Sequence, residues 1–186
     1  MSRIASRVAG LVAAFGLCVS AASADDNSKL KVKVGDAFPD VPLPAAQVEK
    51  LPGKKAGDTV SISELKGKTV VVFFYPKALT GGCTIESCGF RDILADFPKD
   101  AVVLGASADD VALNQKFIDK EKLSYPLLCD TDLKLIQALG IQNAKGKTAQ
   151  RLTFVVGKDG KIAKIYDKVT PKTHPAEVLE FVKAQK

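Results

Sequence analysis

The sequence predicts an α/β domain: a central mixed β-sheet with helices on both faces and an antiparallel edge. Three observations carry this. Residues 68–75 (KTVVVFFY) form a continuous apolar, β-branched and aromatic run, the pattern of a central strand covered on both sides. Strand-like and helix-like segments alternate after it, as they do in βα units. Two late strand-like segments, 152–156 and 161–166, are joined through Lys158-Asp159-Gly160, a hairpin turn signal.

The chain has 186 residues, the length of one ordinary domain with a small addition. The addition is read at the N-terminus. Arg3 and Arg7 are followed by a short apolar run from Val8 to Val19 and then by Ala22-Ser23-Ala24. Charged start, apolar run and small-x-small site occur in the order of a secretory signal peptide, and the run is too short to span a bilayer. A lipoprotein reading fails because Leu17 precedes Cys18. Residues 1–24 are therefore expected to be removed after Ala24, leaving a domain over 25–186 that is exported, most simply to a periplasm, with no membrane attachment.

Each later element follows from local signals. Asp25 to Lys31 is polar and reads as a tail. Val34-Gly35-Asp36 and Phe38-Pro39 open the domain. Residues 45–58 hold Pro52, Gly53 and Gly57 among lysines and read as a surface loop; 59–62 reads as a short strand. Pro76 ends the central strand. Residues 83–97 read as a helix, with Ile85, Phe90, Ile93, Leu94 and Phe97 near helical spacing and Pro98 as its stop. A second buried strand is expected over 101–106. An amphipathic helix follows over 110–122, with Val111, Phe117 and Ile118 inward. Then come a strand over 125–128 and a helix over 132–139 closed by Gly140. The terminal helix, 175–184, carries Pro175 in its first turn. There is no internal repeat.

Charge and cysteines narrow the chemistry. The formal net charge is +6, and the leader contributes two arginines and no acid to it. The remaining lysines are scattered and not interleaved with aromatics, so nucleic-acid binding is not indicated. Of four cysteines, Cys18 lies in the leader; Cys83, Cys88 and Cys129 remain. An odd number of thiols in an oxidising compartment points to thiols that are used, or to one left unpaired. His174 is the single histidine and caps or begins the last helix, so a metal site finds no support.

Residues 75–88 (YPKALTGGCTIESC) are the informative stretch. They lie between the carboxyl end of a buried strand and the start of a helix, where open α/β sheets place their sites. Gly81-Gly82 permits a sharp turn and a close backbone approach. Cys83 falls in the first helical turn, where unpaired N–H groups and the helix dipole favour an anion. The thiolate is the nucleophilic form of cysteine, so the location itself activates it. A buried, inert thiol is the competing reading of Cys83. Cys88 lies five residues on. In an intact helix their Cα atoms are about 8.6 Å apart, whereas a disulfide needs less than about 7 Å. The pair can bond only after the first turns unwind. The spacing is also not the two-residue spacing of a thioredoxin-type dithiol.

The stretch resembles the active site of the peroxiredoxins, whose pattern Pro-x-x-x-Thr-x-x-Cys is met by Pro76, Thr80 and Cys83. Glu86, Cys88 and Phe90-Arg91-Asp92 resemble the bacterioferritin comigratory protein, or Q-type, subfamily. The likeness continues through Tyr125-Pro126-Leu127-Leu128, Arg151-Leu152-Thr153-Phe154, the Asp159-Gly160-Lys161 turn and His174 to Leu179. It implies a thioredoxin-like fold and a thiol peroxidase acting on hydrogen peroxide and organic hydroperoxides. Cys83 would be the peroxidatic cysteine, passing through a sulfenic acid, and Cys88 the resolving cysteine. Thr80 would hydrogen-bond thiolate and peroxide, Arg151 would stabilise thiolate and transition state, and Pro76 would shield the pocket. A thioredoxin-like dithiol would reduce the Cys83–Cys88 disulfide. No metal or organic cofactor is implied, and relatives of this type are often monomers.

Two departures stand out. The subfamily usually has Pro-Gly before the cysteine, where this chain has Gly81-Gly82, which implies a more flexible loop. Position 129, commonly Ser-like, is Cys129, read as a half-buried inert thiol or as a second resolving partner. Other residues stay ambiguous from sequence. Glu86 could cap the helix start or steer chemistry. Arg151, opening a strand, reads without the resemblance as a surface ion pair. The rival activities are an exported thiol–disulfide oxidoreductase, against which the cysteine spacing argues, and a copper-delivery module, which would want further His or Met beside the cysteines.

Overall fold

The computed structural model describes residues 30–144 and 146–185. The leader and its cleavage site lie outside the described residues, as do residues 25–29 of the expected tail. The rest of that tail is attached. Leu30 packs against the core, and the Lys31 N–H donates to the Leu139 carbonyl at 3.0 Å.

Seven strands make one sheet: β1 (Leu43–Ala46), β2 (Thr59–Val60), β3 (Thr69–Phe74), β4 (Ala101–Ser107), β5 (Leu127–Cys129), β6 (Leu152–Val156) and β7 (Ile162–Tyr166). Their spatial order is β2-β1-β5-β4-β3-β6-β7. β3, β4 and β5 run parallel; β6–β7 on one side and β1–β2 on the other are antiparallel, so both edges, not one, are antiparallel. Helices are α1 (Gly81–Asp92), α2 (Val111–Glu121), α3 (Lys134–Leu139) and α4 (His174–Ala184).

β3 explains the layering. All six of its residues are buried, as its continuous apolar run requires. Val70, Val72 and Phe74 point into the core shared with α3, through Leu135, Ile136 and Leu139. Val71 and Phe73, with Tyr75 just beyond, point the other way, onto Phe90 of α1, Phe117 of α2 and Val178 of α4. Period-2 alternation thus builds a separate core on each side of the sheet. Phe73 stacks on Phe90 at 4.5 Å between centroids, which seats α1 directly on the central strand.

Several expectations need correction. Residues 45–58 are not simply a loop. Ala45 and Ala46 belong to β1, paired with Leu128 and Leu127, and Val48 and Leu51 are buried. A four-residue strand containing Pro44 has little intrinsic propensity; pairing with β5 makes it a strand. The 59–62 strand stops at Val60. Ile62–Leu65 is a 3-10 turn with Ser61 and Glu64 as its capping box, the Ser61 N–H donating to the Glu64 carboxylate at 2.9 Å. The helix expected over 83–97 starts earlier, at Gly81, and ends at Asp92, with a 3-10 turn over Leu94–Asp96. Val111, expected inward, is 42% exposed, and Ile85, part of the apolar pattern of the first helix, is 53% exposed. In α2 the buried positions are Asn114, Phe117 and Ile118, a buried polar residue having taken a core place. The helix closed by Gly140 is found, with Gly140 left-handed at φ 76°.

Candidate active site

The carboxyl ends of β3 and β4 lie side by side, and the loop leaving β3 carries the site. Tyr75 continues the pairing, its N–H donating to the Ala106 carbonyl at 3.0 Å. The chain then turns through half-buried Pro76, exposed Lys77 and buried Ala78. Leu79 sits at φ 63°, a left-handed conformation that costs a non-glycine residue about 1–2 kcal/mol. Thr80 returns to extended backbone as the N-cap of α1, and its carbonyl accepts the Thr84 N–H at 2.8 Å. Cys83 is the third residue of the helix, within the turn whose N–H groups have no intrahelical partner.

Cys83 is almost completely buried, at 1% exposure. Arg151, immediately before β6, donates from Nη2 to Cys83 Sγ at 3.1 Å and from Nη1 to the Glu86 carboxylate. The β3–β6 register explains how residues 68 apart in sequence meet. Phe74 pairs with Leu152, so Arg151 falls just past the end of β3, where the cysteine loop begins. Burial works against the Arg151 charge, but Glu86 and the Cys83 sulfur outweigh it and hold the guanidinium protonated. Glu86 is wholly buried, and burial pushes its carboxyl up to about 7 against the opposing pull of Arg151. Its Oε1 has no partner. Glu86 therefore orients Arg151 and does not cap the helix. Gly82 lies beside this arrangement: a Cβ there would meet Arg151 Nη2 at 3.4 Å and Pro171 Cγ at 3.7 Å, in ordinary contact. Gly81 has nothing within 4 Å of such an atom, so of the two glycines only the second packs against the site.

The other expected residues are placed less directly. Thr80 is exposed and its hydroxyl donates to the Lys77 carbonyl at 2.9 Å, so in this state it closes the turn and does not meet the sulfur. Cys88 is a free, half-buried thiol on the same unbroken helix as Cys83. Its Sγ faces Glu121 Oε2 at 3.8 Å, and burial, with help from Glu121, pushes the Cys88 thiol up against the opposing Arg91. Cys88 is thus held protonated while α1 is intact. Cys129, at 2% exposure, is fully buried and not half-buried, with Asn114 Nδ2 at 3.3 Å and its thiol raised chiefly by burial. His174 begins α4 as expected. Its Nε2 lies 2.7 Å from Thr153 Oγ1, and burial lowers it to about 4, with Glu177 opposing. Among the described residues no cluster of ligands could hold a metal ion.

Sequence reasoning missed the residues that support these. Tyr125 donates from its hydroxyl to the Ser87 carbonyl at 2.7 Å, and Arg91 donates to the Glu121 carbonyl, so the middle and the last turn of α1 are each tied to the α2–β5 connection. Asp109 accepts the Ala78 N–H at 2.7 Å. The one available signal for Asp109 was the pair Asp109-Asp110 before a helix. Asp110 takes the N-cap, accepting from Leu113 N–H, which leaves the neighbouring acid without a helical task.

A buried cysteine in the first turn of a helix, paired with an arginine at the carboxyl end of a central strand, defines a thiol-based redox enzyme. Comparison with known proteins specifies it. The model of the AhpC/TSA family matches residues 34–165. Peroxiredoxin Bcp of Bacillus subtilis (strain 168) is 37% identical over 161 residues, 83% of this chain and 97% of that protein. Peroxiredoxin Bcp of Escherichia coli (strain K12) is 35% identical over 159 residues, 82% of this chain and 96% of that protein. Among solved structures, peroxidoxin BcpB from Mycobacterium tuberculosis superposes with a TM-score of 0.72 at 31% identity, covering 83% of this chain and 99% of its own. A cysteine-to-serine mutant of Xylella fastidiosa PrxQ gives 0.73 at 26% identity, covering 82% and 96%. The chain belongs to the AhpC/TSA family, among its peroxiredoxins of the Bcp, or Q, type. It has their thioredoxin-like fold and is a peroxidase, an oxidoreductase; the thiol–disulfide oxidoreductase reading is not favoured.

Proposed function

We propose that Cys83 is the peroxidatic cysteine and Cys88 the resolving one in the reduction of hydrogen peroxide and organic hydroperoxides. The observation that carries this is Arg151 Nη2 at 3.1 Å from a cysteine sulfur in a helix's first turn. The Cys83 thiolate attacks one peroxide oxygen. An S–O bond forms as the O–O bond breaks, and sulfur loses two electrons to the peroxide. The departing oxygen takes a proton and leaves as water or alcohol, while Cys83 becomes a sulfenic acid. Negative charge grows on the leaving oxygen, and a fixed guanidinium beside it lowers the barrier. Thr80, one turn before the cysteine, reaches the peroxide by exchanging its hydrogen bond from the Lys77 carbonyl. Pro76 shields the loop side.

The Cys88 thiol then condenses with the sulfenic acid, expelling water and forming the Cys83–Cys88 disulfide. A thioredoxin-like dithiol restores both thiols by exchange. The structure of a related Xanthomonas campestris bacterioferritin comigratory protein is described in terms of alkyl peroxide reduction, which supports an organic hydroperoxide as substrate here. The leader pattern of residues 1–24 supports export with cleavage after Ala24, so the reductant would itself be periplasmic, and the enzyme acts as a monomer free of the membrane.

The test is peroxide consumption with a dithiol donor. Cys83→Ser is expected to abolish it; Cys88→Ser is expected to allow one oxidation of Cys83 and then stall. Undiminished turnover in Cys83→Ser, or a Cys83–Cys129 bond in digested oxidised protein, would overturn the assignment. N-terminal sequencing of protein from a periplasmic fraction tests the export reading, and light scattering tests the monomer.

A further inference from the structure

We propose that Asp109 is a positioning residue for the peroxide reaction. Its carboxylate holds the turn at residues 77–80, and so sets where α1 begins and where Cys83 meets Arg151. The inference rests on Cys83 being the peroxidatic residue.

The turn does not hold itself. Leu79 adopts a left-handed conformation that leucine disfavours, and the Thr80-to-Lys77 hydrogen bond that closes the turn is exposed to water. What fixes the turn from inside is one carboxylate from the neighbouring strand's loop. Asp109 Oδ2 accepts the Ala78 N–H at 2.7 Å, directly before Leu79, and Oδ1 pairs with Lys77 Nζ at 2.6 Å. An ionised acceptor makes a shorter and stronger bond to a backbone N–H than a neutral one.

The carboxylate is itself held. The Ser107 hydroxyl donates to Asp109 Oδ2 at 3.2 Å, and Asn114 Nδ2 donates to Ser107 Oγ at 3.4 Å. The circuit closes through the Tyr75 hydroxyl, which donates to Asn114 Oδ1 at 2.8 Å. Tyr75, Asn114 and Ser107 are fully buried and Asp109 is 5% exposed. This ring of hydrogen bonds starts at the residue before Pro76 and ends at Ala78, two residues after it. It clamps the active-site loop to β4 on both sides of the proline. The loop's next residues, Thr80 to Gly82, lead straight into the turn that presents the sulfur to the guanidinium.

Because Asp109 acts through backbone placement, removing it should slow the step that depends on the Cys83–Arg151 geometry and spare the later one. Reduced protein is mixed with hydrogen peroxide in rapid quench, and sulfenic acid and disulfide are counted by mass. In Asp109→Ala the second-order rate of Cys83 oxidation is expected to fall roughly 10–100-fold, the scale of a displacement of about an ångström. Conversion of sulfenic acid to disulfide should stay within about twofold. Asp109→Asn keeps an oxygen acceptor for the Ala78 N–H and should recover oxidation to within about threefold of the natural protein. If Asp109→Ala does not fold, Ser107→Ala, which frees the carboxylate without deleting it, should slow oxidation by about three- to fivefold. Natural rates of oxidation in Asp109→Ala or in Ser107→Ala overturn the proposal. So does equal slowing of both steps with no recovery in Asp109→Asn. A natural protein that fails to oxidise at Cys83 at all counts instead against the peroxidase reading.

Discussion

Tyr125→Phe should speed formation of the Cys83–Cys88 disulfide about fivefold without changing the rate at which Cys83 is oxidised. Cys83 and Cys88 share an unbroken helix, so the middle of α1 must open before the sulfurs can meet. One of the ties that opposes opening is the buried hydrogen bond from the Tyr125 hydroxyl to the Ser87 carbonyl, at 2.7 Å. Burial keeps the Tyr125 phenol well above its usual range, so it is a donor at any working pH. Phenylalanine keeps the ring that packs edge-on against Phe73 at 5.8 Å and deletes only the bond. A neutral hydrogen bond contributes about 1 kcal/mol net, and about 1.4 kcal/mol is a factor of ten, so the opening equilibrium should rise about fivefold. Condensation from the open form rises with it. The assay traps sulfenic acid with a nucleophilic reagent at millisecond intervals after one equivalent of peroxide and follows its decay to disulfide. At high peroxide the same variant should accumulate less sulfinic acid, because resolution competes better with a second oxidation. Sulfenic acid that decays no faster in Tyr125→Phe than in the natural protein refutes the reasoning that this tie holds α1 closed.

Other consequences follow from the glycines and the histidine. Gly82→Ala places a Cβ 3.4 Å from Arg151 Nη2, an ordinary contact with the end of a flexible side chain, so Cys83 oxidation by peroxide in stopped flow should stay within about threefold of the natural protein. Gly81→Pro should raise stability. Position 81 is the first of α1, a Cβ there meets nothing, and Thr80 before it already has the extended φ −98°, ψ 152° that proline demands of its predecessor. Urea unfolding should show a gain of about 0.4–1 kcal/mol with peroxidase activity retained. For His174, burial depresses the folded value to about 4 from an ordinary 6.5, so the unfolded chain binds the extra proton between those values. Stability should therefore fall as pH drops from about 6.5 towards 4, by up to about 3 kcal/mol, and not above that window. Glu86, raised to about 7, acts with the opposite sign between about 4.5 and 7. The informative measurement is thus the difference between the natural protein and His174→Gln across pH, where the His174 slope should vanish.

The parts of the fold that were legible in the sequence are those whose causes are local. β3 announced itself because a strand covered on both faces must be apolar at every position, and the existence of α1, though neither of its ends, from apolar residues near helical spacing. β1 was not legible: Leu43-Pro44-Ala45-Ala46 becomes a strand by pairing with β5, more than 80 residues away. The site divides the same way. Cys83 could be picked from its position alone. Arg151 could not, because an arginine opening a strand looks like a surface ion pair until the Phe74–Leu152 register sets it over the cysteine. Glu86 was ambiguous in sequence because its partner was. Asp109 was invisible and Tyr125 was legible only as part of a strand and of the family likeness, because each meets a backbone group of the active-site segment, which leaves no mark on residue type.

These contacts divide α1 according to what each part must do. Its first turn has to be rigid while peroxide reacts, and there the restraints are ionic and buried: Arg151 between Cys83 and Glu86, with Asp109 behind the loop. Its middle, Ser87 and Cys88, has to be releasable, and there the ties are a single neutral hydrogen bond from Tyr125 and a long thiol–carboxylate contact to Glu121. Its last turns are anchored again, by Phe90 stacked on Phe73 and by Gly89 lying so close to Pro175 that a Cβ would come within 2.8 Å. Unwinding is cheapest between those anchors, which is where Cys88 lies. The anchored end also keeps Cys88 from drifting once freed, since Phe90 is two residues away. In the proposed cycle, conversion of the attacking Cys83 thiolate to a neutral sulfenic acid would weaken its contact with Arg151 and so the first anchor. The first step of that cycle would thus lower the resistance to the movement that the second step needs.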